Sequence, residues 1–196
     1  DFADADRGFV ATREDRHIRA ADGRVVWDLD GYAFLDGPVP DTAHASLWRQ
    51  GQLCARHGLY EVVPGIYQVR GLDLSNMTII EGTEGVTVVD PLVSAETARV
   101  GMDLYFANRG QKPVKAVIYT HSHVDHYGGV RGVVSDEDVA SGKTKIYAPD
   151  GFLEAAVAEN VMAGNAMSRR ASYMYGNLLP PDPKGQVGAG LGTTTS

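Results

Sequence analysis

Three of the six histidines in this chain fall within one stretch of six residues. His121, His123 and His126, together with Asp125, directly follow an apolar run, and we call residues 121–126 the His loop. Imidazole nitrogens and carboxylate oxygens are the ligands that suit zinc and its neighbours among the divalent metals. Chance clustering of half the histidines in six positions is improbable, so the pattern predicts a metal-binding loop rather than a solvated polar loop.

The spacing within the His loop divides these residues into two pairs. If the chain is still extended at the start of the loop, His121 and His123 project to the same side and can bind one ion. Asp125 and His126 follow after the chain has turned, and they can reach a second ion beside the first. Two ions about 3.5–4 Å apart hold a bridging hydroxide and stabilise an anionic transition state.

Apolar runs and turn residues predict the elements that position this loop. Several short, β-branched-rich runs between residues 59 and 89 are separated by turns that contain glycine, proline or asparagine, which is typical of a strand meander. A helix capped by Ser94 follows, and then a strand at 114–119 that leads into the histidines. The order of strand, helix and strand predicts a crossover connection and a layered α/β domain.

The two ends of the chain have a less regular pattern. Helical spacing returns after Asp150, which is predicted to cap a helical stretch that continues to about Met162, and a second helix is predicted at 166–175. Residues 1–57 have mixed character, and we interpret them as an arm packed on the domain that residues 58–196 form.

Composition excludes several classes of protein. Apolar residues make up 43% of the chain, which is enough for a packed core, but no run approaches the ~20 apolar residues that a membrane span needs. The single cysteine, Cys54, excludes an internal disulfide framework. A net charge of −7 without basic runs argues against a nucleic-acid partner. The first residues lack the basic segment followed by an apolar segment that marks a signal peptide. The sequence alone assigns no compartment.

The spacing His121-x-His123-x-Asp125-His126 after an apolar strand resembles the signature loop of the metallo-β-lactamase fold. Four further segments resemble the alkyl sulfatase branch of that superfamily, namely GIYQV at 65–69, NMTII at 76–80, VTVVDP at 86–91 and AGNAMSRRASYMY at 163–175. The last segment indicates the branch, whereas the His loop alone specifies only the superfamily. The resemblance covers nearly the whole chain, and it implies that the α/β fold is the first part of an αββα sandwich.

This resemblance implies a role for each residue of the His loop. His121 and His123 would bind the first of two zinc ions, and Asp125 and His126 the second, with Asp125 also acting in catalysis by steering the hydroxide. Members of this family complete both sites with ligands from later in the chain, and they also carry a dimerisation domain and a C-terminal domain. We therefore expect these 196 residues to be the N-terminal portion of a longer enzyme.

Several expectations about partners follow from the same resemblance. The remainder of the same polypeptide, or a second chain, would complete the metal site, and the enzyme would be a homodimer without a membrane span. On its own the chain is expected to be inactive, because catalytic zinc usually has three protein ligands and the loop offers two for each ion. A periplasmic or secreted location is compatible with the family.

Asp90 ends the strand predicted at 86–89 and is expected to lie under the His loop. There its carboxylate would hold a ligand histidine or a loop amide. The alternative is an ordinary aspartate that caps the turn before Ser94.

Substrate contacts are expected from residues near the end of the chain and beside the His loop. Asn165 and Arg169 could hold sulfate oxygens, since arginine offers a fork of donors to an oxyanion. Tyr127, Tyr173 and Tyr175 could line a tunnel for an alkyl chain. The alternatives are a solvated helix face for the arginine and ordinary packing for the tyrosines.

The activity that the resemblance implies is zinc-dependent hydrolysis of an alkyl sulfate ester to an alcohol and inorganic sulfate. Two alternatives remain open. One is another hydrolase on the same scaffold, of the thioesterase, lactonase or glyoxalase II type. The other is that this chain on its own is an inert portion or a zinc-binding module.

Overall fold

A mixed sheet of seven strands forms the centre of the computed structural model, which describes residues 1–190 and 192–193. The strands are Phe9–Ala11 (β1), His17–Arg19 (β2), Val25–Asp28 (β3), Gly58–Val63 (β4), Ile66–Arg70 (β5), Met77–Glu81 (β6), Val86–Val89 (β7), Val114–Ile118 (β8) and Lys145–Tyr147 (β9). The α-helices are Phe2–Asp6 (α1), Ala45–Cys54 (α2), Ala95–Arg109 (α3), Val130–Val133 (α4), Asp136–Ala140 (α5), Phe152–Val157 (α6) and Gly164–Tyr175 (α7).

The order of strands explains how the chain changes from a meander to a crossover. The sheet runs β1-β4-β5-β6-β7-β8-β9, while β2 and β3 pair as a separate ribbon. Neighbouring strands from β1 to β7 are antiparallel, whereas β7–β8 and β8–β9 are parallel. Helix α3 connects β7 to β8, as a parallel pair requires. The predicted α/β class is therefore confirmed.

Helix α3 covers one face of the sheet and closes the main core. It begins as predicted at Ser94, whose Oγ accepts a hydrogen bond from the Thr97 N–H over 3.1 Å. Ala98, Met102 and Tyr105 are spaced along one side of the helix and are fully buried. The same cluster of buried side chains includes, from the sheet, Leu59, Val69, Met77, Ile79 and Val88.

Residues before 58 contribute to this sheet and to this core. Phe9 of β1 is paired with Tyr60 of β4, so the first strand forms an edge of the seven-stranded sheet. Ile18 of β2 is buried in the main cluster, and Trp27 packs against it. A second, smaller cluster consists of Tyr32, Leu35, Trp48 and Val187. The boundary between residues 57 and 58 stays a prediction.

The helical stretch predicted from Asp150 to about Met162 is divided in the structure. Helix α6 starts only after Gly151, which has a φ of +72°, so Asp150 is not its cap. A π-helical turn, Ala158–Met162, follows directly. Helices α4 and α5 lie in a stretch for which the pattern predicts no helix. Among the described residues, no helix has both the length and the apolar character needed to cross a membrane.

Candidate metal centre

Two parallel strand ends meet beneath the His loop. Val89 of β7 and Ile118 of β8 are partners in the sheet, so the residues that follow them leave it side by side. Asp90 directly follows β7, and its N–H donates to the Ile118 carbonyl oxygen over 2.9 Å. This edge, beyond the carboxyl ends of parallel strands, is where α/β sheets usually bind their ligands.

Asp90 anchors the His loop to the sheet. Its Oδ1 accepts a hydrogen bond from the Thr120 N–H at 2.8 Å, and its Oδ2 accepts the Thr120 hydroxyl proton at 2.7 Å. The same Oδ2 lies 2.8 Å from His126 Nδ1. Asp90 is 8% exposed and has a φ of +55°, which is uncommon for a residue other than glycine. These hydrogen bonds hold the unusual backbone conformation and the start of the loop together.

The partners of the imidazole rings show which nitrogen donates to which group. Because a carboxylate only accepts hydrogen bonds, His126 donates to Asp90 from Nδ1. The other ring nitrogen of His126, Nε2, lies 3.2 Å from Asp125 Oδ2. The Thr120 hydroxyl donates its only proton to Asp90, so in the 2.9 Å contact between Thr120 and His121 the Nδ1 of His121 is the donor. In the neutral ring of His121, Nε2 therefore carries no proton.

His123 follows the same rule through Glu159. Its Nε2 lies 2.8 Å from Oε1 of that carboxylate and donates to it. The other ring nitrogen, Nδ1, faces the Nε2 of His121 at 3.1 Å. Partial burial lowers the pKa of His121, and the neighbouring rings of His126 and His123 lower it further, which favours the neutral form.

These donors have the chemistry of a metal centre. Zinc–nitrogen bonds of about 2.0–2.1 Å in a tetrahedral site place two ligand nitrogens roughly 3.3 Å apart. The 3.1 Å between His121 Nε2 and His123 Nδ1 is close to that separation. Three imidazole side chains and one carboxylate form a donor set that suits zinc.

The donors contact each other in pairs and do not surround a preformed cage. In the part of the chain that the structure describes, no group of three or more His, Cys, Asp or Glu side chains is arranged to hold a metal ion. The ring centroid of His121 lies 4.0 Å from that of His126 and 4.6 Å from that of His123. The ring of His121 thus contacts a histidine from each predicted pair, and the division into His121 with His123 and Asp125 with His126 stays a prediction, as does their role as ligands.

A buried carboxylate that the sequence pattern did not single out supports the loop from below. Asp73 is 3% exposed and accepts hydrogen bonds from the Ser75 and Val93 N–H groups and from the Thr97 hydroxyl. Burial raises the pKa of Asp73 to about 6, although these hydrogen bonds act in the opposite direction. The Ser75 hydroxyl in turn donates to the Asp125 carbonyl oxygen. The pattern assigns Asp73 only to a turn, so no signal distinguishes it.

Two glycines allow the segment after the His loop to pack closely on the start of α3. A Cβ atom at Gly129 would lie 2.1 Å from the Pro91 carbonyl oxygen, and one at Gly132 would lie 2.1 Å from that of Ala95. The Gly129 N–H also donates to the Leu92 carbonyl oxygen over 2.9 Å. The position of the loop is thus fixed at both of its ends.

The residues predicted to contact substrate have different surroundings. Tyr127 is half-buried, and its ring packs 5.2 Å from that of Phe152 on α6. Asn165, Arg169 and Tyr173 lie exposed on α7. Tyr175, also on α7, is half-buried. Their contacts with a substrate stay predictions.

A cavity of about 360 Å³ lies at the opposite end of β8 from the His loop. Its lining includes Val114 and Lys115 at the start of that strand, and Thr144 just before β9. The cavity is therefore separate from the candidate metal centre, and we assign it no role.

Comparison with known proteins agrees with this geometry. A sequence model of the metallo-beta-lactamase superfamily matches residues 70–193. The chain is 65% identical over 194 residues to a linear primary-alkylsulfatase from a Pseudomonas species, which covers 98% of this chain and 29% of that protein. It is 52% identical over 197 residues to alkyl/aryl-sulfatase BDS1 of Saccharomyces cerevisiae, covering 100% of this chain and 30% of the relative.

A solved structure shares the fold. The stereoselective inverting sec-alkylsulfatase Pisa1 from a Pseudomonas species superposes with a TM-score of 0.91 at 51% identity. The superposition covers 99% of this chain and 31% of that chain. The resemblance inferred from the sequence is therefore confirmed.

The comparisons differ in how much they establish. This chain spans 29–30% of the length of the curated relatives, so the activities in their names are statements about those proteins. The superfamily match is different, because it covers more than half of the chain and includes the whole His loop. Membership implies a centre for metal ions, which the donor set at the end of β8 fits. The chain belongs to the metallo-beta-lactamase superfamily.

Proposed function

We propose that the whole protein is a zinc-dependent alkylsulfatase that converts an alkyl sulfate ester and water into an alcohol and inorganic sulfate. One observation carries this proposal. Three imidazole rings and the Asp125 carboxylate lie in pairwise contact at the end of β8, in a chain that is 65% identical to a linear primary-alkylsulfatase.

Each side chain of the His loop has a defined part in this proposal. His121 and His123 would hold one zinc ion, and Asp125 and His126 would hold a second. Asp90 keeps His126 in the tautomer that binds, through the 2.8 Å hydrogen bond to Nδ1. This chain supplies two ligands for each ion, whereas catalytic zinc usually has three protein ligands. We infer that the rest of the polypeptide or a second chain supplies the others, in a homodimer.

The chemistry of hydrolysis needs a nucleophile at neutral pH and a partner for the departing sulfate. Bound zinc lowers the pKa of its water to about 7 and so supplies hydroxide near neutral pH. Asp125 orients this nucleophile and accepts its hydrogen bond. Arg169 and Asn165 bind the sulfate oxygens, because guanidinium and amide groups donate to an oxyanion whose charge grows in the transition state.

Apolar side chains bind the alkyl tail in this proposal. Tyr127 next to the His loop, and Tyr173 and Tyr175 on α7, are the residues that we assign to this contact. Each methylene of the tail that is buried contributes about 0.8 kcal/mol to the free energy of binding. Five or six buried methylenes therefore compensate for weak binding of the sulfate head group.

A panel of substrates tests the proposed reaction. The whole protein, loaded with zinc, should release inorganic sulfate and dodecanol from dodecyl sulfate much faster than it cleaves a thioester, a lactone or a glutathione thioester. Faster cleavage of any of the other esters would assign the protein to another hydrolase class on the same scaffold.

Variants of the His loop test the assigned residues. His123→Ala and Asp125→Ala should each lower turnover by at least a hundredfold and change the affinity for the alkyl tail little, because the tail contacts are elsewhere. His17→Ala provides a matched control, since His17 lies on β2, outside the loop. Near-normal turnover in either loop variant would show that the metal assignment is wrong.

The number of ligands in this chain leads to a separate expectation. With two donors for each ion, the isolated chain should bind zinc weakly and hydrolyse little sulfate ester. Zinc titration and turnover of the isolated chain check this, and two tightly bound ions with full activity would contradict it.

A further inference from the structure

Glu159 places a second carboxylate against the His loop. Its Oε1 lies 2.8 Å from His123 Nε2, and its Oε2 accepts a hydrogen bond from the Ser122 hydroxyl over 3.3 Å. The Glu159 side chain is 18% exposed, whereas that of His123 is 56% exposed. A largely buried carboxylate therefore holds a histidine whose side chain is mostly exposed to solvent.

The local backbone explains how Glu159 reaches the loop. It lies in the π-helical turn that follows α6, a conformation that is rare and frequent at functional sites. The next residue, Asn160, donates from Nδ2 to the Tyr127 hydroxyl over 3.2 Å and to the Ala156 carbonyl oxygen over 2.9 Å. Two consecutive residues of the turn thus contact opposite ends of the segment 122–127.

Packing of aromatic rings fixes α6 on the same surface. The Phe152 ring lies 5.4 Å from that of Tyr119 and 5.2 Å from that of Tyr127, and these two tyrosine rings are 5.9 Å apart. Helix α6, which precedes Glu159, therefore packs against residues on both sides of the His loop. This support makes the position of the Glu159 carboxylate a property of the fold.

We propose that Glu159 is a positioning residue for the metal centre, acting through His123. It accepts the proton on Nε2 of His123, which fixes the ring orientation so that Nδ1 faces Nε2 of His121, and it makes Nδ1 a better donor to a metal ion. Carboxylates that accept from the far nitrogen of a ligand histidine commonly contribute 10–100-fold to metal affinity. This inference rests on the metal centre of the proposed function and is independent of which ester is hydrolysed.

Zinc affinity of the whole protein without substrate tests the inference. Competition with a chelator should show that Glu159→Ala binds zinc 10–100-fold more weakly at an unchanged number of ions, because His123 loses its partner. Glu159→Gln should restore affinity to within about fivefold of the native protein, since its amide oxygen still accepts from Nε2. If Glu159→Ala does not fold, Glu159→Met takes its place, because it keeps the length of the stem.

Two control variants separate positioning from simple support of the segment. Glu154→Ala removes the same charge from an exposed site on α6, and Asn160→Ala removes the neighbouring contact to Tyr127 but leaves Glu159 on His123. Both should keep zinc affinity within about twofold of the native protein. Cobalt(II) spectra provide a second readout, which Glu159→Ala should change and Glu154→Ala should not.

Two outcomes would overturn the role of Glu159. One is equal zinc affinity in Glu159→Ala and Glu154→Ala. The other is a loss of one bound ion in both Glu159→Ala and Glu159→Gln, which would make Glu159 a direct ligand. A protein that binds zinc as expected but does not cleave sulfate esters would refute the proposed function and leave this inference intact.

Discussion

The carboxylate of Asp90 and the imidazole of His126 join the end of β7 to the predicted metal loop, with Oδ2 and Nδ1 2.8 Å apart. The same Oδ2 accepts the Thr120 hydroxyl proton, and Oδ1 accepts the Thr120 N–H. Three donors thus converge on one carboxylate that is nearly inaccessible to solvent. This concentration of donors makes the charge of Asp90, and not only its shape, important for the loop.

Replacing Asp90 with asparagine should weaken zinc binding by 10–100-fold. The amide keeps one accepting oxygen but turns an NH2 group toward a donor, so at least one of the three hydrogen bonds is lost. His126 then loses its fixed tautomer. Zinc competition with a chelator measures the effect. Asp136→Asn is the control, because Asp136 is an exposed partner of Arg131, and an equal effect there would contradict the role of Asp90.

Replacing Ser75 with alanine should lower turnover about tenfold and destabilise the fold by only about 1 kcal/mol. The variant loses the hydrogen bond from the Ser75 hydroxyl to the Asp125 carbonyl oxygen, so the backbone of the loop shifts while the core stays packed. Steady-state kinetics and thermal unfolding together measure both effects.

A serine elsewhere in the chain provides the comparison for Ser75. Ser172 on α7 also donates to a backbone carbonyl oxygen, that of Ser168, at 3.0 Å. Ser172→Ala should leave turnover unchanged. If both serine variants lose the same activity, the effect does not come from the contact with Asp125.

Local pattern was sufficient to predict the central part of this fold. The β-branched run at 86–89 predicted β7 with its observed bounds, although burial alternates along the strand, with Val86 and Val88 buried and Thr87 and Val89 half-buried. Ser94 and the helical spacing that follows it gave the start of α3. Contacts among the side chains of the His loop could also be expected from the sequence, since residues so close along the chain stay neighbours in any fold.

Contacts between residues far apart in the sequence could not be predicted from local pattern. Glu159 meets Ser122 across 37 residues, and Ser75 meets Asp125 across 50. Neither pairing leaves a periodic signal, because each depends on how α6 and the turn after β5 pack on the sheet. The sequence pattern predicted one unbroken helical stretch to about Met162. It therefore gave no sign of the π-helical turn that places Glu159 beside the His loop.

Acid should remove a stabilising network at the carboxyl end of β6, in the middle of the sheet. Burial tends to raise the pKa of Glu81, but hydrogen bonds from Arg109, Lys112 and Tyr105 outweigh it and lower the pKa to about 2. A carboxyl whose pKa is lower in the folded chain stabilises the fold above its ordinary pKa of 4.5, and that contribution is lost as the pH falls toward 2.

Glu81→Gln isolates this contribution. At pH 7 the variant should be roughly 2–3 kcal/mol less stable than the native chain, after allowance for the partial exposure of Arg109 and Lys112. The difference should shrink between pH 4.5 and pH 2.5, as denaturant unfolding at several pH values would show. A difference that stays constant with pH would mean that the charge of Glu81 does not stabilise the fold.

Replacing Gly129 with alanine should destabilise the fold by about 1–3 kcal/mol and weaken zinc binding as well. The added Cβ would lie 2.1 Å from the Pro91 carbonyl oxygen and 2.6 Å from that of Ser94, and neither backbone atom can move without shifting α3. Gly164→Ala is the matched control, because a Cβ there meets its first neighbour at 3.9 Å. Thermal unfolding and zinc titration of both variants measure the effect. Equal unfolding midpoints would show that the loop and α3 separate easily, and the close packing would then not fix the metal centre.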